Sequence, residues 1–514
     1  MTNEVYLDAN ATSPALPLAI AAAVDAMQER FGNPSSSHAA GLRARAMLGE
    51  ARAAARRVIG AGQGELVFTS GATEAIQTAV LSALCDLRQR QLAGEAVGDL
   101  LLYGATEHKA IPECLAHWNR ILGTGCVVQA LAVDADGRHR LDLLQEMAPR
   151  AALVCTMAAN NETGVVAELA AIEAVLAAHA PRALWLVDCV QALGKLPLAL
   201  ATTAIDYAVF SGHKLYAPKG IGMLYVRQHA PFTPLMMGGG QESGLRSGTE
   251  NMAGIAALGA VLGAFERGEL FRRPDQLALL RERLAAALTA SFPGLVFNAP
   301  FAHSLPTTLN FSVPGVTSDT LLKLFDAAGV RVSAGSACSA AAASASHVLT
   351  AMGVAGARAG SAVRLSFSPT ATDAFIDGAC ARIARCGAAL ARHGAPADSV
   401  TPSASAVVAD GADHVDGAEL AAFLARHPQA RLVDVREACE HAAAAAGPWH
   451  GRAIDSVPLS ALPAQLDALL AQPARPLLLF CRSGQRSLKA LHLLRAAGHQ
   501  NVYHLAGGVA LAPQ

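Results

Sequence analysis

From the N-terminus to about residue 395, short apolar runs alternate with longer helix-patterned stretches. That alternation restricts the chain to an α/β fold with a mainly parallel sheet, because parallel strands are buried on both faces and need crossovers between them. Glu65 to Thr69 reads as strand and Ala72 to Leu84 as helix. Leu100 to Tyr103, Ala151 to Cys155, Leu184 to Val187 and Tyr207 to Phe210 continue the series of buried strands. In this architecture reactive residues are expected at the strand ends.

The 514 residues exceed one ordinary core, so two or three folding units are expected. The composition shifts over residues 394 to 412, where small residues and two prolines leave little to bury, and residues 396–411 read as a linker. Beyond it the strand and helix alternation resumes on a smaller scale. A helix is expected around Asp416 to Arg426, strands at Arg431 to Val435 and Pro476 to Phe480, and a helix from Ser487 to Ala497. The divisions are therefore 1–395, 396–411 and 412–514.

Bulk properties exclude several function classes. A formal net charge of −1 without a basic run argues against nucleic-acid binding by charge. Hydrophobic residues reach 52%, yet no uninterrupted apolar stretch attains the roughly 18 residues of a membrane span. The start, Met1-Thr2-Asn3-Glu4, lacks a basic or apolar leader, so a cytoplasmic chain is expected. Ten cysteines are scattered without a CxxC pair or a histidine cluster, which disfavours a disulfide framework and a metal site. Most of them, Cys189 included, sit in apolar surroundings and read as small buried hydrophobes.

Chemistry concentrates at Phe210-Ser211-Gly212-His213-Lys214, whose lysine follows the strand-end Asp188 by 26 positions. An amine in a small polar loop and a strand-borne carboxylate are what pyridoxal 5'-phosphate (PLP) requires, for the Schiff base and for the pyridinium nitrogen. Ser211 and His213 add groups able to bind phosphate. A strand also turns through Ser70-Gly71-Ala72-Thr73 into a helix, aiming unsatisfied amides and the Thr73 hydroxyl at an anion. Taken alone, that turn reads equally well as a capped helix start.

Residues 1 to about 395 resemble cysteine desulfurases of the NifS and IscS type, within the class V aminotransferase-like enzymes of PLP fold type I. The matching stretches are Tyr6 to Thr12, Phe31 to Ser36, Thr106 to Ala110, Asn160 to Gly164, the Lys214 loop and Arg246 to Thr249. The resemblance implies a large, mainly parallel-sheet domain plus a small α/β domain, acting on L-cysteine. It implies that Lys214 carries the cofactor, Asp188 keeps its ring nitrogen protonated and Gln191 reaches its ring hydroxyl. His108 would lie over the ring and move protons, Asn161 would support ring and substrate, and Ala72, Thr73, Ser211 and His213 would hold the phosphate. Thr249 would reach that phosphate from a neighbouring subunit, implying a homodimer. Arg364 would pair with the substrate carboxylate, Asn33 would also meet substrate, and a structural salt bridge is the competing reading of Arg364.

Cys338 lies in a run of small residues, Ser333 to Ser339, unlike the surroundings of the other cysteines. The resemblance makes it the acceptor of the substrate's sulfur. Ala334, Ser339 and Ala340 depart from the family's usual loop, as Met237 and Ser243 depart near the glycine run 238 to 240.

Cys481 ends an apolar strand and opens Arg482-Ser483-Gly484-Gln485-Arg486 ahead of a helix, a place where backbone amides, a helix dipole and two arginines favour a thiolate or a persulfide. With Asp434 to Glu437 upstream and Leu505 to Gly508 downstream, residues 412–514 resemble a single rhodanese domain, a small α/β sulfurtransferase. Related phosphatases need an arginine six positions after the cysteine. Here position 487 is serine and Arg486 is five after Cys481, which favours sulfur. The expectation is a desulfurase whose sulfur passes from Cys338 to Cys481 and then to an outside acceptor. The competing expectations are another fold type I lyase or aminotransferase, and a rhodanese unit that only docks an acceptor. An iron-sulfur scaffold, a tRNA thiolation enzyme, a sulfur-carrier protein and a small thiophile all remain open as acceptors, with no metal, nucleic acid or membrane expected at the site.

Overall fold

The computed structural model describes residues 4–335, 346–395, 413–444 and 449–512. Cys338 and the expected linker lie outside the described residues.

A seven-stranded sheet organises the first unit. Its strands are β1 (Glu65–Thr69), β2 (Leu100–Gly104), β3 (Val127–Leu131), β4 (Ala151–Met157), β5 (Leu184–Asp188), β6 (Tyr207–Ser211) and β7 (Gly222–Val226), in the order β1-β7-β6-β5-β4-β2-β3. The five strands from β6 to β3 run parallel, and β7 enters antiparallel between β6 and β1. Both faces are covered, which explains the unbroken apolar runs. Leu100 and Leu102 face one core and Leu101 the other.

One turn is dictated by close approach. Helix α1 (Ala72–Leu92) starts directly after β1, and β7 begins beside that turn. A side chain at Gly222 would place its Cβ 2.6 Å from the Gly71 Cα, so only glycine lets strand and loop pass.

A smaller layer follows. Strands β8 (Val296–Phe297), β9 (Thr308–Ser312) and β10 (Ala362–Ser366) form an antiparallel sheet. Helices α2 (Ser318–Ala327) and α3 (Asp373–His393) contribute Leu321, Leu324, Phe325, Ile376 and Ile383 to one core with that sheet. The N-terminal segment joins this layer, Val5–Tyr6 pairing in parallel with Val330–Arg331.

The last unit is a five-stranded parallel sheet in the order β11 (His414–Val415), β15 (Val502–Leu505), β14 (Leu477–Phe480), β12 (Arg431–Asp434), β13 (Ile454–Ser456). Helix α4 (Ala438–Ala443) follows β12 and helix α5 (Gln485–Ala496) follows the Cys481 loop. Among the described residues no helix is long and apolar enough to cross a membrane.

Candidate active site

The parallel strands end on a cavity of about 450 Å³. Ala72, Thr73, His108, Asn161, Asp188, Gln191, Ser211, His213, Lys214 and Arg364 all line it. All but Arg364, which lies within β10 of the smaller sheet, come from five separate strand ends or helix starts, as a doubly covered parallel sheet requires. Lys214 follows β6 in a single helical turn, Gly212–Lys214, and its Nζ donates to the carbonyls of Asn10 at 2.7 Å and Ala11 at 2.6 Å. Asp188, at the end of β5, is 5% exposed and accepts the Val190 N–H at 2.9 Å. Burial pushes its carboxyl up to about 6, opposed by that bond and by Lys214.

The surroundings of both cavity imidazoles disfavour the charged form. Burial and then the Lys214 charge lower His108, whose Nδ1 accepts the Ala110 N–H at 3.2 Å, so its Nε2 bears the proton. The same two causes bring His213 down to about 4, with the Thr12 hydroxyl 3.1 Å from its Nδ1. His213 can therefore turn an Nε2–H toward an anion beside Ser211 and the α1 N-terminus.

Arg364 is 1% exposed and lines the cavity while pairing with Asp8 at 2.5 Å and donating to the Asn161 carbonyl at 3.0 Å. The salt bridge and the cavity position coexist: two groups hold the guanidinium from one side and leave further N–H groups for a carboxylate.

Two expected residues do not reach the cavity of their own chain. Asn33 is exposed, its side chain accepting from the Ser35 N–H at 2.9 Å. Thr249 is exposed in a cleft that shares Ser70 and Gly220 with the cavity. Met237 is 79% exposed, and Ser243 adopts a left-handed backbone, φ 58°, one residue after a buried Glu242 that pairs with Arg52. Cys189 is fully buried, with its thiol pushed far up by burial, as an inert residue would be.

Three site residues escaped the sequence reading. Asn10 lines the cavity. It accepts from Lys214 and Gln191 through its carbonyl and from Lys195 through its side chain at 3.2 Å, while its amide donates to the Thr308 hydroxyl at 2.9 Å. Lys195 donates to the Gln191 side chain at 2.5 Å, and burial, helped by Lys214 and Arg364, brings it down to about 7. Glu107 is 2% exposed, and burial with the nearby Asp188 carboxylate holds it well above the usual carboxylate range. The signal for Lys195 was its spacing, four residues after Gln191. Asn10 lies within the matching stretch Tyr6 to Thr12, yet its own role was not legible there, since its partners lie up to 356 positions away.

The second centre surrounds Cys481, which follows β14 and is 1% exposed. The Ser487 hydroxyl lies 3.7 Å from its sulfur. Behind it, Val509 N–H donates to the Cys481 carbonyl at 2.9 Å and Ala510 N–H to that of Arg482 at 3.0 Å. Gly508, at φ 61°, makes this possible, for a Cβ there would sit 2.3 Å from the Cys481 carbonyl oxygen. The two loop arginines are committed to carboxylates, which the sequence did not foretell. Arg486 donates twice to Glu440, at 2.6 and 2.9 Å, and Arg482 pairs with Asp326 at 2.8 Å.

The aminotransferase class-V family matches residues 5–378, and the rhodanese-like domain matches residues 417–511. A cysteine desulfurase of Gluconacetobacter diazotrophicus is 39% identical over 377 residues, covering 73% of this chain and 91% of the relative. A cysteine desulfurase of Cereibacter sphaeroides is 39% identical over 378 residues, covering 73% and 93%. A solved NifS-like protein superposes with a TM-score of 0.66 at 31% identity, covering 74% of this chain and 98% of its own.

Proposed function

The chain belongs to the aminotransferase class-V family and is a cysteine desulfurase with a C-terminal rhodanese-like domain, and on that premise we propose that it passes the sulfur of L-cysteine through two of its own cysteines, Cys338 and then Cys481. The observation that supports the first half is the convergence of Lys214, Asp188 and Arg364 on one cavity. The donor set suits PLP: an amine, a buried carboxylate facing it across the cavity lining, and a helix N-terminus with Ser211, His213 and Thr73 for the phosphate. Bound there, PLP supplies an electron sink that weakens bonds at the substrate's carbons.

The chain's own residues do the rest. Lys214 is the amine that holds the cofactor and takes up protons near it. Asp188 supplies the buried negative charge for the ring nitrogen, and Gln191, steadied by Lys195, addresses the ring hydroxyl. His108 presents a protonated Nε2 at the cavity, and Arg364, braced by Asp8, binds the substrate carboxylate. The Cys338 thiolate attacks the substrate's sulfur, so that an S–S bond forms as the C–S bond breaks; the electron pair stays with the carbon, which takes up a proton and leaves as alanine, and Cys338 is left as a persulfide. The Cys481 thiolate then attacks the outer sulfur, forming a new S–S bond as the old one breaks, and Cys338 leaves as thiolate without net oxidation.

The proposed divisions are a desulfurase unit over 1–395, a linker over 396–411 and a sulfurtransferase unit over 412–514. A homodimer is part of the reading, because Thr249 and Asn33 are exposed outside the cavity of their own chain and Ile20, Val24 and Met27 form an exposed apolar stripe on one helix. A cytoplasmic setting, and a protein or small-molecule thiophile as final acceptor, complete it.

Single turnover with sulfur-labelled cysteine, followed by alkylation and mass spectrometry, tests the relay. Label is expected on Cys338 first and Cys481 second. A Cys481→Ala chain should still form alanine but stop at Cys338. Label that never reaches Cys481 in the unaltered chain would leave the rhodanese unit as a docking module.

A further inference from the structure

Helix α4, which follows β12 of the rhodanese unit, does not pack into that unit's own core. Cys439 and Ala443 of α4, 2% and 0% exposed, belong to the apolar cluster built by Leu324 and Phe325 of α2 and by Ile383 and Cys386 of α3, all on the desulfurase side. The clusters on the two faces of the rhodanese sheet, around Val433 and Leu479 and around Leu432 and Phe480, contain neither residue. Cys439 is close enough to Cys386 to disfavour its ionisation.

The flank of α4 beside that apolar face serves the sulfur loop. Glu440 is 3% exposed and takes two hydrogen bonds from Arg486, while His441 and Arg436 converge on Asp434 at 2.9 and 2.7 Å. A second bridge crosses directly: Arg482, the residue after Cys481, pairs with Asp326 at the end of α2, which also holds Arg331 of the same unit. The Cys481 loop is thus tied to the desulfurase unit twice, once through α4 and once through Arg482.

We propose that the α2 and α3 face of the desulfurase unit is a docking platform for the rhodanese unit of the same chain, and that this docking orients the Cys481 loop for loading. The carrier is a docked domain and not a swinging one. An apolar helix face buried against two helices holds one orientation, where a tether supplies only local concentration, on the order of millimolar for a short flexible linker. The docking stands apart from the relay, whereas its effect on loading rests on the relay proposed above.

The test uses the full chain and two substitutions outside both catalytic centres, Asp326→Lys and Ala443→Arg. Small-angle scattering of the unaltered chain is expected to give one compact particle, with a single calorimetric unfolding transition. The double variant should expand and split into two transitions. Alanine release in excess dithiothreitol should stay within about twofold, while transfer of labelled sulfur to Cys481 slows about tenfold or more. If Ala443→Arg unfolds the rhodanese unit, Asp326→Arg paired with Arg482→Glu restores the bridge with its charges reversed, and recovery of the compact form is the readout. An extended unaltered chain with two independent transitions overturns the docking. Equal loading rates in the docked and undocked forms overturn its role in orientation. A compact chain that never labels Cys481 sinks the relay and leaves the docking standing.

Discussion

Lys195 shows how one side chain can set the behaviour of another. Its ammonium, brought down to about 7, donates to Gln191 and to the Asn10 side chain, and so fixes which way the Gln191 amide faces. Lys195→Met keeps the length and removes the donor. Loss of one such bond at a buried amide is expected to lower turnover about tenfold, with the KM for cysteine nearly unchanged because Arg364 is untouched. Restoration by Lys195→Arg and a shifted cofactor absorbance would mark positioning, whereas unchanged turnover in Lys195→Met would remove the role. Lys214 and Asp188 were legible in the sequence because each closes an apolar strand and meets a small polar loop. Asn10 and Asp8 were not, since their functions come from partners that only the folded chain brings near.

At the level of elements, the end of β12 is tied through Asp434, which accepts from Arg436 and pairs with His441. Burial opposes ionisation of Asp434, yet the bonds from His441 and Arg436 outweigh it and bring the carboxyl down to about 2. A carboxyl lowered in the folded state stabilises above its unfolded pKa and loses that contribution as pH falls through the folded value. The rhodanese unit should therefore lose about 2 kcal/mol between pH about 4 and about 2. Asp434→Asn should be less stable at neutral pH and nearly flat over that window, as read by urea melts of the full chain. A variant as acid-sensitive as the parent would contradict this. Element ends were read less well than element existence. The sequence reading stopped α1 at Leu84, where charges begin. The helix continues to Leu92 because Asp86, Arg88 and Arg90 ride its more open side while Leu87 stays buried, and Gly94 at φ 75° follows its end. Helix α5 starts at Gln485 and not at Ser487, because Gly484 at φ 89° makes the turn two residues earlier. The smallness of Ala443 is what lets α4 approach two other helices closely.

For the whole molecule, the stripe of Ile20, Val24 and Met27, with Phe31 just beyond at 67% exposed, is the surface to test for subunit pairing. On the proposed homodimer, in which Thr249 serves the neighbouring subunit, Met27→Glu with Phe31→Glu is expected to halve the sedimenting mass and weaken cofactor retention. An unchanged mass would place the subunit contact elsewhere. The cavity itself spans nearly the full length of the desulfurase unit. Asp8 holds Arg364 across 356 positions, and Asn10 roofs the lysine loop. During synthesis, then, the first dozen residues must wait outside the ribosome until β10 has emerged, so the carboxylate-binding side of the cavity cannot form on a half-made chain, and the whole cavity closes only after almost three-quarters of the chain has been translated.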